Sequence, residues 1–116
     1  AIEHNKKDKN YLPLKENFKI LEKSTNEDNR QNEIIEIPMP KALYIKNTRV
    51  PASYLNFYFT NKSVLVPIFN DKNDEVALNI IQKNIKNKKI IPINCNDLIW
   101  GFGAVHCMTQ QEPSLN

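Results

Sequence analysis

The chain has 116 residues, of which 41% are apolar, and a net charge of +3, so it suits one small domain with a core of its own. Its lysines are scattered among asparagines, and few aromatic residues alternate with basic ones, which disfavours a nucleic-acid-binding surface. Because no signal peptide opens the chain and no apolar stretch approaches the roughly 20 residues of a membrane span, we predict a cytoplasmic protein that contacts neither nucleic acid nor membrane.

The first half of the chain predicts one helix and two short strands. Apolar residues recur at helical spacing within residues 11–25, and Pro13 stands where a first helical turn tolerates it, so an amphipathic helix is expected there. Residues 33–37 are rich in isoleucine and are followed by prolines, which indicates a strand that ends at Pro38. Residues 42–45 predict a second short strand followed by a loop.

A β-hairpin is predicted next in the chain. Residues 53–60 and 63–67 are rich in β-branched or aromatic residues, and the polar pair Asn61 and Lys62 separates them. Aromatic side chains of a hairpin can line a ligand pocket, but they pack into the core more often. We expect the core position for four of them, Tyr54, Phe57, Tyr58 and Phe59.

A second helix and a strand complete the predicted elements. The helix covers residues 71–86, with Asp71 or Asn73 as its N-cap and acidic residues in its first turns, where they favour the positive end of the helix dipole. A strand over residues 89–93 follows it. The buried face of the helix is expected to consist of Val76, Ala77, Ile80 and Ile81.

The order of these elements indicates a repeat. Strand, strand, helix and strand form one complete unit over residues 55–93, and the helix and strand of residues 14–37 are similar to the second half of an earlier copy. A repeat that cannot close its own sheet belongs to a longer array, so we predict an α/β piece of a propeller or a similar assembly. Edge strands and one apolar face are expected to be exposed without their neighbours.

The chemistry of the chain concentrates near its end. Gly101 and Gly103 are its two glycines, and we expect the unusual backbone geometry there, since glycine adopts positive φ and lets bare backbone approach a ligand. Cys107 follows closely and is either a nucleophile, if its pKa lies below about 8.5, or a small buried apolar residue. Because adjacent side chains rarely face each other, we expect His106 to support the backbone or the core and the partner of Cys107 to come from elsewhere.

Other candidate sites are weaker. Cys95 stands at a strand end and is expected to be inert, and both cysteines are expected to be free thiols in a reducing compartment. Together with His4 and His106 they match no zinc-ligand spacing, and the glycines match neither a dinucleotide-binding nor a P-loop pattern, so we predict no metal and no cofactor. Arg49 either holds a carboxylate or lies in a surface loop.

Three separated segments resemble one enzyme family. Residues 100–113, WGFGAVHCMTQQEP, resemble the C-terminal active-site motif of agmatine deiminases and related bacterial peptidylarginine deiminases. Residues 49–58 resemble the family's Arg-x-Pro-Ala-Ser-Tyr-x-Asn-Phe-Tyr strand, and residues 10–17 resemble its Asn-Tyr-x-x-Leu-x-Glu-Asn helix start. Many members carry three consecutive glycines followed by an asparagine in this motif. In this chain Phe102 replaces the middle glycine and Ala104 replaces the asparagine. Phe102 would narrow the entry to the thiol.

The resemblance implies the fold and the organisation of the chain. The family fold is a pentein α/β propeller, in which five strand-strand-helix-strand modules surround a pseudo-fivefold axis. This chain would supply about one and a half modules, the C-terminal part of a single deiminase domain. Residues 1–50 would be a partial module, and residues 51–116 would be a complete module with the catalytic loop.

The resemblance also implies a reaction, the hydrolysis of a C–N bond in a guanidine. Agmatine would give N-carbamoylputrescine and ammonia in bacterial putrescine and polyamine biosynthesis, or peptidyl-arginine would give citrulline. Cys107 would form a covalent amidino-cysteine, and Gly101, Phe102 and Gly103 would bind the substrate. No cofactor is implied.

The resemblance places the other helpers of this reaction outside the chain. The family's His-x-Asp pair and its further acidic residues come from earlier modules, and no position here matches them. We assign no such role to His4, Asp71, Asp74 or Glu75. The chain alone is therefore predicted to be inactive, with the remaining modules of the enzyme as its partners and a homodimer as a further assembly. The alternative is a non-catalytic α/β protein-interaction domain, in which residues 101–107 form only a tight turn and exposed strands bind a partner.

Overall fold

The computed structural model describes residues 1–113, and their contacts divide them into two units, Ala1–Met39 and a second unit from Pro40 onward. The first unit contains the helix α1. The second contains the strands β1 to β5, the helix α2 and two short 3₁₀ helices. The bounds of all these elements are α1, Tyr11–Lys23; β1, Tyr44–Ile45; β2, Thr48–Arg49; β3, Tyr58–Phe59; β4, Ser63–Ile68; α2, Asp74–Asn84; β5, Lys89–Asn94; and the 3₁₀ helices Leu98–Gly101 and His106–Met108.

In the first unit, α1 confirms the predicted helix, and Pro13 lies in its first turn, where the missing N–H leaves no helical hydrogen bond unmade. The helix has no buried residue. Leu12 and Ile20 are each 65% exposed, so the amphipathic pattern gives only partial burial within the described residues.

The strand predicted over residues 33–37 is wrong. Ile2 N donates to Ile37 O over 2.8 Å and Met39 N donates to Ile2 O over 2.9 Å, which makes one parallel bridge between Ile2 and Pro38. A strand requires a neighbouring segment that supplies a succession of donors and acceptors. Within residues 1–113, this bridge and one between Thr25 and Gln31 flank the segment, and neither continues along it as a ladder of hydrogen bonds.

Two antiparallel hairpins begin the second unit. The predicted strand over residues 42–45 is reduced to β1, and the predicted loop after it contains β2, which pairs with β1 through Tyr44 and Arg49. Lys46, between the two strands, has a φ of 54°. In the second hairpin, β3 pairs with β4 through Tyr58 and Leu65, which confirms the predicted turn between them.

The first strand of the second hairpin is much shorter than predicted. Residues 53–57 lie outside it, because Ser53 begins a turn: its carbonyl accepts a hydrogen bond from Asn56 N over 3.2 Å and its hydroxyl accepts one from Leu55 N over 3.2 Å. Such local hydrogen bonds compete with a strand ladder. Of the four hairpin aromatics, Tyr54 is buried as expected, whereas Phe59 is 44% exposed.

β4 and β5 are parallel neighbours, in register from Ser63 opposite Lys89 to Ile68 opposite Asn94. Parallel strands need a crossover connection, which α2 provides. The sheet order is β3-β4-β5. The predicted strand-strand-helix-strand unit is therefore confirmed.

The start of α2 is set by aspartate side chains. Asp71 accepts a hydrogen bond from Asn73 N over 2.8 Å, and Asp74 accepts one from Asp71 N over 3.0 Å. These bonds hold a turn before the helix, so α2 begins at Asp74 with Asn73 as its N-cap, rather than at residue 71.

The buried face of α2 is narrower than predicted. Ala77 and Ile81, one turn apart, are buried, and Ile80 is half-buried. The prediction that Val76 belongs to the buried face is wrong, since this side chain is 47% exposed.

The core of the second unit surrounds β4. Val64 and Val66 have no exposed surface, and the buried Tyr54 donates a hydrogen bond from its hydroxyl to Asp74 Oδ1 over 2.8 Å. Ile99, Ala104 and Val105, near the end of the described chain, are also buried. These three side chains anchor the segment that precedes the Cys107 thiol. No helix in residues 1–113 is long and apolar enough to cross a membrane.

Candidate active site

Cys107 lies in the 3₁₀ helix His106–Met108, and its side chain is exposed. The two residues before this helix, Ala104 and Val105, are buried, so a short exposed helix follows directly from an anchored backbone. An exposed sulfur on an anchored backbone can be reached by a reactant while its own position stays defined.

Asn56 makes three hydrogen bonds to the residues around the thiol. Its carbonyl accepts from His106 N over 3.1 Å, its Oδ1 accepts from Cys107 N over 3.3 Å, and its Nδ2 donates to Cys107 Sγ over 3.0 Å. The turn that shortens the first hairpin strand places Asn56 for these contacts. Asn56 was not among the predicted site residues; its only sequence signal is that it belongs to the segment that resembles the family strand.

These hydrogen bonds alter the acidity of the thiol. The amide of Asn56, followed by the backbone of Ala104, lowers the pKa of Cys107 below its usual value, because both stabilise the negative sulfur. The thiolate fraction at neutral pH rises accordingly, and the thiolate is the nucleophilic form. Burial has the opposite effect on Cys95, whose pKa is raised.

Gly103 is needed because a larger side chain would collide with Cys107, not because its backbone conformation requires glycine. A Cβ atom added there would lie 2.6 Å from Cys107 Cβ and 3.1 Å from Cys107 Sγ, so the bare backbone packs against the cysteine side chain. At Gly101, no atom lies within 4 Å of an added Cβ among those that the structure describes. The expected close approach of bare backbone therefore holds at Gly103, although what it approaches is the cysteine itself.

The expected positive φ does not fall on a glycine. Neither glycine has one, whereas Phe102 adopts φ 60° and ψ 23° and donates a hydrogen bond from its backbone N to Ile99 O over 3.0 Å. This left-handed conformation costs an L-residue roughly 1–2 kcal/mol, and glycine adopts it freely. The Phe102 side chain is 54% exposed, and those of Trp100 and Met108 are 65% and 69% exposed.

The remaining predicted residues have other surroundings. His106 is exposed, and its ring lies 6.2 Å from that of Tyr58 between centroids at an interplanar angle of 63°, in addition to its backbone bond to Asn56. Arg49 is half-buried in β2. Within residues 1–113, no cluster of three or more His, Cys, Asp or Glu side chains is arranged to hold a metal ion.

Comparison with known proteins identifies the family. The Porphyromonas-type peptidyl-arginine deiminase family matches residues 1–113. The chain belongs to this family. A relative from Legionella pneumophila (strain Paris), named "Putative agmatine deiminase", is 34% identical over 113 residues, which are 97% of this chain and 33% of that protein.

Solved structures of deiminases have the same fold. The agmatine deiminase of C. jejuni matches with a TM-score of 0.83 and 34% identity, over 91% of this chain and 32% of that one. A cysteine-to-serine variant of the C. jejuni enzyme with substrate bound matches with a TM-score of 0.82 and 33% identity, over 90% of this chain and 30% of that one. The predicted fold class, an α/β part of a pentein propeller, is confirmed. The chain spans about a third of the length of these deiminases.

Proposed function

We propose that this chain is the C-terminal part of a longer enzyme that deiminates a guanidine substrate, with Cys107 as the nucleophile. Membership of the peptidyl-arginine deiminase family supports the reaction class. The observation that carries the role of Cys107 is the 3.0 Å hydrogen bond from Asn56 Nδ2 to its exposed sulfur, together with the lowered pKa that this bond causes.

The proposed reaction has two steps. The Cys107 thiolate attacks the guanidinium carbon and forms a C–S bond; a C–N bond then breaks, and its nitrogen takes up a proton and leaves as ammonia. Water adds to the same carbon and loses its protons as the C–S bond breaks, which gives a ureido product and regenerates the thiolate. Since a guanidinium is a poor electrophile, a covalent thiol adduct divides one difficult hydrolysis into two easier steps.

Asn56 and Gly103 hold the nucleophile in this proposal. The Asn56 amide fixes both the backbone and the sulfur of Cys107, and the absence of a side chain at Gly103 leaves room for Cys107 itself. The open side of Gly101 and the exposed ring of Phe102 border the substrate. His106 supports this arrangement through its backbone bond to Asn56 rather than by accepting a proton from Cys107.

The proton donors and acceptors, and the carboxylates that clamp the cationic substrate, come in this proposal from the rest of the enzyme. The aspartates of α2 have structural surroundings instead. Asp74 accepts hydrogen bonds from Tyr54 Oη and Phe69 N, and Asp71 accepts one from Lys41 N over 3.0 Å. We propose a guanidine, either the small molecule agmatine or a peptidyl-arginine, as the substrate of a bacterial, cytoplasmic enzyme that needs no cofactor.

The test compares this chain with the full-length protein that contains it. Each is incubated with agmatine and with a peptidyl-arginine, and ammonia and the ureido product are measured. We expect product from the full-length protein only. Acid quenching during turnover should trap the amidino adduct on the peptide that contains Cys107, where mass spectrometry detects it.

Three results would contradict the proposal. Turnover by the chain alone would show that the other helpers are not required. An adduct on another residue would remove the nucleophilic role of Cys107. Absence of turnover by the full-length protein on every guanidine would favour the non-catalytic interaction domain instead.

A further inference from the structure

Phe102 combines an unfavourable backbone conformation with a side chain that is more than half exposed. Its φ is 60°, a region where a bulky L-residue is an outlier. Its side chain is 54% exposed, so packing within the described residues does not account for an aromatic residue where glycine would be unstrained. Strain of this kind occurs at functional sites, where the surrounding structure enforces it.

The position of Phe102 connects this residue to the thiol. Its neighbour Gly103 lies so close to Cys107 that an added Cβ would be 3.1 Å from Sγ. The Phe102 Cα is one peptide unit, about 3.8 Å, from that of Gly103. On its other side, Gly101 has no described atom within 4 Å of an added Cβ. The exposed aromatic side chain is thus carried by the residue next to the one whose backbone packs against Cys107.

Two further large apolar side chains near Cys107 in the sequence are exposed. Trp100 is 65% exposed and Met108 is 69% exposed, while Ala104 and Val105 between them, and Ile99 just before Trp100, are buried. The buried residues fix the backbone, so the exposed ones are presented from a rigid support. Apolar side chains beside an exposed nucleophile suit the methylene chain of an alkylguanidine.

We propose that the Phe102 side chain limits the width of approach to Cys107 and so selects slim, unbranched guanidines over guanidines carried on a peptide. The choice of guanidines rests on the proposed function, whereas the limit on access applies to any electrophile that reacts with this thiol. A packing contact between Phe102 and the rest of the enzyme is the competing explanation.

The test measures the alkylation of Cys107 by two reagents. 2-Chloroacetamidine is slim, and a benzoyl-ornithine amide that carries the same chloroacetamidine group is bulky; in both, the thiolate forms a C–S bond and chloride leaves. We expect Phe102→Gly to raise the bulky reagent's rate, relative to the slim one's, by about tenfold. Phe102→Leu should be intermediate. Since glycine suits this φ, the melting temperature of the glycine variant should not fall.

Tyr44→Ala is the matched control, because it removes another exposed aromatic side chain, 58% exposed on β1. It should leave the ratio of the two rates unchanged. The same ratio in Phe102→Gly and in the wild type would overturn the proposal, and so would rates that rise together for both reagents.

Deimination by the full-length protein separates this inference from the proposed function. Phe102→Gly should raise kcat/KM for peptidyl-arginine relative to agmatine by about tenfold. A lower melting temperature with equal losses on both substrates would support the packing contact and overturn the selective role. If the wild type deiminates neither substrate, the proposed function fails, while the alkylation ratio still decides the role of Phe102.

Discussion

The two cysteines of this chain occupy opposite environments. Cys95 directly follows β5, is fully buried, and donates a backbone hydrogen bond to Ile68 O over 2.9 Å. Cys107 is exposed, and its sulfur accepts a hydrogen bond from Asn56. Burial raises the pKa of the first thiol, and hydrogen bonding lowers that of the second. The contrast teaches that access and donors to the sulfur, rather than residue type, separate a structural thiol from a candidate nucleophile.

The largest expected effect comes from replacing each cysteine in the full-length protein. Cys107→Ser should lower kcat by at least about a thousandfold, because a hydroxyl at neutral pH is a far weaker nucleophile. Cys95→Ala should keep kcat within about twofold and lower the free energy of unfolding by about 1 kcal/mol through the small cavity that it leaves. Steady-state kinetics and urea denaturation measure both. Equal losses of kcat in the two variants would contradict the different roles of Cys95 and Cys107.

The next effect is the selectivity of alkylation in the folded chain. Iodoacetamide should modify Cys107 at least about a hundredfold faster than Cys95, which reacts only when its surroundings open. Because the pKa of Cys107 is lowered, its rate should reach half of its maximum at a lower pH than the rate of the same cysteine in the urea-unfolded chain. Peptide mass spectrometry over a pH series measures both. A midpoint equal to or above that of the unfolded chain would contradict the direction of the shift.

Gly103 and Gly101 form a matched pair for testing the packing around Cys107. Gly103→Ala should lower the free energy of unfolding by about 2 kcal/mol and slow alkylation, since its Cβ would displace the cysteine side chain. Gly101→Ala should change stability by less than about 0.5 kcal/mol, because its Cβ would meet no described atom. Denaturant titration compares them. Similar losses in both variants would mean that the cysteine is not held by this contact.

The sequence predicted the β3-β4-α2-β5 unit because its signals are local. A polar turn at Asn61 and Lys62, and acidic residues at the start of α2, act within a few residues of their own position. The strand over residues 33–37 failed for the opposite reason, since a strand depends on a neighbouring segment that its own pattern does not specify.

The candidate site was only partly predictable. The segment that contains Cys107 was found from its residue types and its resemblance to a deiminase motif. The contact with Asn56 joins residues 51 positions apart, and it depends on the Ser53 turn that replaced the expected strand. The intrinsic preference of glycine predicted the positive φ at Gly101 or Gly103. In the structure it falls on Phe102, between the buried anchors Ile99 and Ala104.

The smallest effect that we predict tests the cause of the lowered pKa. Asn56→Ala removes the donor to Cys107 Sγ and should raise the pKa of the thiol toward its usual value, which slows alkylation at pH 7 by about fivefold. Asn56→Asp should raise the pKa further, because a carboxylate beside the sulfur opposes the thiolate. Asn84→Ala is the control, since the side chain of Asn84 on α2 donates a hydrogen bond to Ile80 O over 2.8 Å rather than to the thiol. A Cys107 pKa that rises from the wild type to Asn56→Ala and again to Asn56→Asp would identify the Asn56 amide as the cause of the lowered pKa. Equal pKa values in all three proteins would instead assign the lowered pKa to the backbone around Cys107.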